Sequence, residues 1–507
     1  MSRKVSLSLA GVLALLLLAA LGLAQSNNSA QGFPLQPVLT FGNQGPVPRA
    51  QLLLQLRGPL DTYKRETLSR YGQIDTVIDR YNLVAIIPFG PTAGRTLQSL
   101  PFVLRSEVDQ PRWLTGVGTW DRDILDVVDV EENGVIGNPD AREVSQTGAG
   151  VTVAVIDTGL IHRWRDFLNP NRVNTGLARA FMGGGAVGGL NNISDPTDMW
   201  EKDTNSHGTA TTSHIIDFKI GPFVVDGVAP NATILPLKVF PNGEAFTFSS
   251  RISAALAYVT QLKASGAIGP TVINISISGG PSFFERLAIQ GAIAQGVIVV
   301  ASAANAGENG MGWPGAFPEV ISAGATGWTA QFSPLVGGAP NTNFWWTRDV
   351  PNDPDGSGTS EEQQSYVTTF SSRAIPALGT ALGTDPQQLD VLAPGQFTVA
   401  PCLLPSAGAG VGNPTFCFWS GTSFSSPLTA GVAALMLEKN SSLTQANVET
   451  IMKATALTMA GNDGRAVPVP IGTPNPTTWD TTCVFGLACD PVGAGLLQAD
   501  SALAATP

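Results

Sequence analysis

Short apolar runs rich in Val and Ile, bounded by Gly and Pro, recur along the chain after Gly150: 151–156, 232–239, 271–277, 297–303, 320–325 and 389–392. Runs of this kind, lacking polar alternation, fit strands covered on both faces. Between them lie helical patterns over 207–217, 249–265, 283–295, 423–438 and 444–455. Strands alternating with helices predict a doubly wound, mostly parallel α/β sheet. In that architecture ligands bind beyond the carboxyl ends of the strands. Asp157 directly follows one such strand, and Asn305 follows another.

A different rhythm precedes Gly150. Residues 51–56 read as a strand, 60–71 as a helix, 74–81 and 82–88 as two strands, 93–100 as a short helix and 102–108 as a strand. This βαββαβ order is the split βαβ arrangement of a small α+β domain. The polar, weakly patterned stretch 113–143 then reads as a junction accessible to cleavage. A long aperiodic segment, 328–369, carries Phe344-Trp345-Trp346 and interrupts the later alternation as an insertion.

Arg3 and Lys4, a Leu/Ala-rich stretch over 7–21 and Gly22-Leu23-Ala24 form a secretory signal peptide cut after Ala24. A stable membrane anchor would need a longer apolar span. The domains are therefore read as 1–24 signal peptide, 25–115 small unit and 116–507 main unit, in an exported protein. Acidic residues outnumber basic ones 39 to 28, for a net charge of −11, which argues against nucleic-acid partners. Four cysteines in an exported chain favour disulfides over buried free thiols, and their positions pair Cys402 with Cys417 and Cys483 with Cys489.

Three distant segments supply a carboxylate, an imidazole and a hydroxyl: Val151-Thr-Val-Ala-Val-Ile-Asp157-Thr-Gly159, Ser206-His207-Gly-Thr209 and Ser420-Gly-Thr-Ser423-Phe-Ser-Ser-Pro427. These are the groups needed for nucleophilic attack on an acyl carbon, a chemistry that requires no cofactor. Ser423 opens a long apolar helical pattern, and a helix N-terminus favours a developing oxyanion. Pro427 is expected in the first turn of that helix. Taken alone, Ser423 is more readily an N-cap; the full string Gly421-Thr-Ser423-Phe-Ser425-Ser-Pro427 points to a nucleophile. His207 is one of three histidines, and the other two, His162 and His214, lack the Gly-Thr context.

The order Asp, His, Ser, with Gly-Thr beside His207 and Ser423, resembles the subtilisin-like serine endopeptidases. The resemblance covers about residues 145–507 and extends to Gly227-Val-Ala-Pro230 and Gly493-Ala-Gly-Leu-Leu-Gln498. It implies that Asp157 orients His207, that His207 is the general base for Ser423, and that the Asn305 amide completes an oxyanion hole. It further implies that Ser276, Ile277, Ser278, Gly279 and Gly280 pair with an extended polypeptide substrate, and that the small unit is an inhibitory propeptide removed after folding. Structural calcium is common in the family, and the Asp195, Asp198, Asp203 group or the Asp353, Asp355 loop could supply oxygens; solvated acidic loops are the plainer reading, and no ligand is assigned.

The chain departs from the family pattern at Ala210, where a second His is usual, at Ala304, where Gly is usual and Ala tightens the turn, at Ser278, an extra residue, and at Leu428. These departures define the alternative, a catalytically impaired, peptide-binding protein of the same fold. An esterase of the α/β-hydrolase type would need Gly-x-Ser-x-Gly and the order Ser, Asp, His; Ser425 occupies the last Gly position and the order is reversed. A zinc protease would need His-Glu-x-x-His, which does not occur, and Asp-Thr-Gly occurs without the second copy that an aspartic protease requires.

Overall fold

A computed structural model of the chain describes residues 52–78, 82–108, 146–181, 199–328, 365–404, 413–459 and 482–507 except Pro222 and Ala245, with the short stretches 33–34, 116–117, 120–123, 125, 334–335 and 339–340. The signal peptide, most of the junction and most of the 328–369 insertion lie outside the described residues, as do Asp195, Asp198, Asp353 and Asp355. The chain divides into two compact units, residues 36–115 and the remainder.

In the smaller unit β1 (Leu52–Leu56), α1 (Thr62–Ser69), β2 (Gly72–Ile78), β3 (Leu83–Pro88), α2 (Pro91–Gln98) and β4 (Val103–Val108) follow the anticipated βαββαβ order. The four strands form an antiparallel sheet in the order β2-β3-β1-β4. Alternation along the central strands explains why it folds: Leu52, Leu54 and Leu56 of β1 and Val84 and Ile86 of β3 share one buried cluster with Leu68 of α1 and Leu97 of α2. Asp61 starts α1 by accepting the Lys64 N–H at 2.8 Å.

The larger unit is built on an eight-stranded sheet. Its parallel strands are β5 (Thr152–Asp157), β6 (Thr233–Lys238), β7 (Thr271–Ile275), β8 (Val297–Ser302), β9 (Ile321–Trp328) and β10 (Val391–Pro394), with a two-residue strand at Arg179–Ala180. Ser365–Val367 runs antiparallel along the end of β9. β5 lies between β6 and β7, so the chain leaves to one side and then crosses to the other. The carboxyl end of β5 is thus a topological switch point, and Asp157 is its last residue.

Between these strands run α3 (His207–Ile215), α4 (Ser249–Ala264) and α5 (Phe283–Ala294). After β10 come the antiparallel hairpin β11 (Thr398–Leu404) and β12 (Asn413–Trp419), then α6 (Thr422–Lys439), α7 (Gln445–Thr455) and α8 (Ala499–Ala505). Residues 422–437 of α6 are all buried, as expected of a helix apolar all round. The hairpin is absent from the sequence pattern because Pro401 and Pro414 interrupt its two runs, and proline argues against a strand in the absence of tertiary context.

The chain from Gly116 belongs to the larger unit: Gly116–Val117 pairs with Val224–Val225, and Trp120, Asp121, Arg122 and Leu125 are buried. Arg122 pairs with Asp121 and donates from Nε to the Asp226 carbonyl at 3.1 Å. Burial lowers its guanidinium to about 9 against the opposing charges of Asp226 and Asp217. Among the described residues no helix is long and apolar enough to cross a membrane.

Both disulfides pair as their positions indicate, Cys402 with Cys417 and Cys483 with Cys489. The first spans 15 residues and ties β11 to β12, which leads directly into Ser420. Replacing both Cys402 and Cys417 by Ser is expected to lower unfolding stability by about 3 kcal/mol, the loop-entropy value for that span. Urea unfolding in an inactive Ser423→Ala background measures this as a lower midpoint, with a slope that rises because the uncrosslinked unfolded chain exposes more surface.

Candidate active site

Asp157 is 1% exposed, where an ionised carboxylate is costly without donors. It has them. The Thr158 N–H donates to Oδ1 at 2.6 Å, the Thr211 hydroxyl lies 3.4 Å from Oδ2, and His207 Nδ1 lies 2.8 and 3.0 Å from the two oxygens. His207 is the first residue of α3, and Ser206 before it adopts a left-handed φ of 75°. The contact requires α3 to pass very close to the Asp-Thr-Gly turn. A Cβ on Gly208 would lie 2.3 Å from the Gly159 carbonyl oxygen, so only glycine fits there.

A second layer of hydrogen bonds locks the two segments. The Thr158 hydroxyl donates to Asp203 Oδ2 at 2.8 Å and accepts the Gly208 N–H at 2.8 Å. Asp203, a calcium candidate in the sequence, is buried, and it also accepts the Asn205 and Ser206 N–H groups. Its nearest cation is the buried Lys238 at 3.9 Å. Burial raises the Asp203 carboxyl, with Lys238 and these donors opposing. Among the described residues no group of three or more His, Cys, Asp and Glu could hold a metal ion.

The His207 ring is 15% exposed and stands against Trp419 and Phe424, at centroid distances of 6.2 and 5.6 Å. Burial pushes the imidazolium down, but the charge and hydrogen bond of Asp157, helped by Asp203, outweigh it, and His207 lies above the ordinary value of 6.5. His214, two turns further along α3, is driven well below that value by burial and by Arg122. Its Nδ1 lies 2.8 Å from the Ala210 carbonyl and its Nε2 2.9 Å from the Thr398 hydroxyl. Ala210 belongs to a buried cluster with Cys402, Cys417, Trp419 and Phe424. A small residue there leaves the space to the disulfide and the aromatic rings.

Ser423 is the second residue of α6, among the first four N–H groups, which have no acceptor within a helix. Pro427 is the sixth residue of the helix, past the first turn expected from the sequence, because the helix already begins at Thr422. Proline has no N–H to offer the Ser423 carbonyl four residues back. The Ser276 hydroxyl takes that place, donating to the Ser423 carbonyl at 2.8 Å, while Asn274 Nδ2 lies 3.0 Å from the same hydroxyl. The Ser423 hydroxyl in turn rests on the Ser276 carbonyl at 3.3 Å.

Asn305 follows β8 at the same sheet edge. Its Oδ1 accepts the Thr422 N–H at 2.8 Å and the Thr422 hydroxyl at 2.9 Å, which orients Nδ2. That nitrogen lies 3.3 Å from the position of a Cβ on Gly421. Ala304 adopts a φ of 90°, a left-handed conformation costing a non-glycine residue roughly 1–2 kcal/mol. The tightened turn is therefore a strained one. An added carbon on Gly312 would lie 2.9 Å from Ser278 Cβ and 3.2 Å from Ala304 Cβ, so two of the four departures meet across one glycine.

The segment after β7 brings Ser276 under Ser423, and Ile277, Ser278 and Gly279 are half-buried while Gly280 is exposed. Gly279 is already paired: its N–H donates to the Trp313 carbonyl at 2.8 Å and its carbonyl accepts the Trp313 N–H at 2.9 Å. The contributions of Thr158, Asp203, Trp419 and Phe424 were not read from the sequence. The burial of Asp203 depends on Lys238, remote in the chain, and no local pattern announces it.

Residues 148–485 match the subtilase family, Peptidase S8. Subtilisin DY of Bacillus licheniformis is 28% identical over 317 residues, which are 61% of this chain and 84% of that protein. Minor extracellular protease Vpr of Bacillus subtilis (strain 168) is 30% identical over 196 residues, 38% of this chain and 22% of that protein. The chain thus spans about a fifth of the length of Vpr and most of subtilisin DY. Among solved structures, Sphericase is similar at 18% identity and a TM-score of 0.47, over 75% of this chain and 97% of that one. The family match takes in Asp157, His207, Asn305 and Ser423 with every strand of the parallel sheet, and the chain belongs to the subtilase family of serine-type peptidases.

Proposed function

We propose that this protein is a secreted serine endopeptidase made as a self-processing zymogen. The carrying observation is the Asp157–His207 hydrogen bond at the carboxyl edge of the sheet, with His207 against Phe424, the residue that follows Ser423. In this reading the Ser423 hydroxyl leaves the Ser276 carbonyl, on which it rests at 3.3 Å, and engages His207 Nε2. Oγ then attacks the peptide carbonyl carbon and its proton passes to His207, while Asp157 holds the Nδ1–H tautomer and stabilises the imidazolium. The oxyanion formed is held by the Ser423 N–H and Asn305 Nδ2. Collapse breaks the C–N bond, His207 returns the proton to the leaving amine, and water, activated by the same imidazole, releases the acyl group.

Substrates in this reading are polypeptides bound in extended form along Ser276, Ile277 and Ser278. Gly279 contributes shape rather than main-chain hydrogen bonds, since Trp313 holds both of its groups. The small unit acts as the intramolecular inhibitor, and residues 1–24 direct export.

A serine-directed organophosphonate tests the reading. Peptide mass mapping is expected to place the adduct on Ser423 alone, with no adduct in Ser423→Ala. Failure of the protein to react, or an adduct elsewhere, would refute the assignment and favour a fold without catalysis.

A further inference from the structure

The turn that presents Asn305 carries a strained residue, so something outside it must hold it in place. Segment 370–373 does so on both sides of Asn305. The Ser372 N–H donates to the Ala304 carbonyl at 3.0 Å, and the Ser372 hydroxyl accepts the Ala306 N–H at 2.9 Å. Beyond these, the Gly307 N–H donates to the Phe370 carbonyl at 2.9 Å and the Arg373 N–H to the Gly307 carbonyl at 3.1 Å. Of these four hydrogen bonds, one depends on a side chain. Ser372 is fully buried, and its neighbour Ser371 anchors the segment to β9 by accepting the Ala325 N–H at 2.9 Å.

We propose that Ser372 is a positioning residue for the oxyanion amide: it fixes residues 304 and 306, and hence the direction of Asn305 Nδ2, without touching substrate. The inference rests on the reading of Asn305 above. Thr422 orients the amide from one end, and Ser372 holds the backbone that carries it from the other. A held turn favours the transition state over the ground state, because the charge on the carbonyl oxygen develops only there.

The test is a double-mutant cycle on the full-length chain, with kcat and KM measured on a chromogenic peptide. Ser372→Ala is expected to lower kcat on the order of 10- to 100-fold with KM unchanged within about twofold, as for a small misplacement of a group acting only in the transition state. In an Asn305→Ala background the same change is expected to have no further effect on kcat, within about twofold. Ser372→Thr, which keeps the hydroxyl acceptor, is expected to recover most of the rate. If Ser372→Ala does not fold, as judged by circular dichroism, Ser372→Cys retains the volume with a weak acceptor and takes its place in the cycle. An unchanged kcat, a KM rising in step, or an equal loss in both backgrounds overturns the role of Ser372. Full activity of Asn305→Ala on its own overturns the oxyanion assignment beneath it.

Discussion

Ser423→Ala is expected to lower kcat for peptide hydrolysis on the order of a millionfold while leaving the fold intact, the loss recorded when the corresponding serine is removed from subtilisin. The side chain lost is small, and its hydrogen bond to the Ser276 carbonyl, at 3.3 Å, is long. Stability should therefore change by no more than about 1 kcal/mol. The Ser423 N–H and Asn305 remain, so about 10³- to 10⁴-fold acceleration over water survives. Intact mass supplies a second readout. Wild-type protein is expected to lose the residues before Gly116, and Ser423→Ala to retain the small unit. Activity that persists in the variant, or processing that proceeds without Ser423, would place the nucleophile elsewhere.

Asp157→Asn is expected to cost about 10⁴ in kcat, the value known for the equivalent change in a trypsin-like triad, because the amide presents the wrong partner to Nδ1. It also moves the pH profile in a direction that can be worked out. The base must be neutral, so kcat/KM in the wild type rises with pH through the His207 value, which lies above 6.5. Without the Asp157 charge, burial prevails and the acid limb moves to lower pH. Stability has the opposite dependence: a histidine raised in the folded state contributes fully below its unfolded value, and that contribution is lost as pH climbs through the raised one. Thermal melts of Ser423→Ala from pH 5 to 9 should show this loss above about 6.5, and the further change Asp157→Asn should remove it. A limb that stays in place after the substitution would mean that His207 is tuned by other groups.

The order of elements was legible because local chemistry writes it plainly. Val- and Ile-rich runs became β5 through β10 with ends shifted by a few residues, and His207, Phe283 and Thr444 start or cap helices where the pattern places them. Asp157, His207, Asn305 and Ser423 were found as residue types in short, dense motifs, which need no neighbours to be recognised. The β11–β12 hairpin was not legible, since its prolines read as breaks and its strands are held by pairing with each other and with Phe33–Pro34.

The alternation that makes an α/β sheet and the motif residues are properties of neighbours along the chain, and the chain alone carries them; the cysteine positions suggested their pairs, and the fold closed them. Which distant groups satisfy each other is settled by the fold. Ser276 serves the carbonyl that Pro427 leaves without a donor, Asp203 is buried beneath Thr158 and Lys238 rather than facing solvent, and Ser372 holds a turn some seventy residues away. Buried polar groups must find partners wherever the fold brings them, and a one-dimensional pattern carries no record of that geometry.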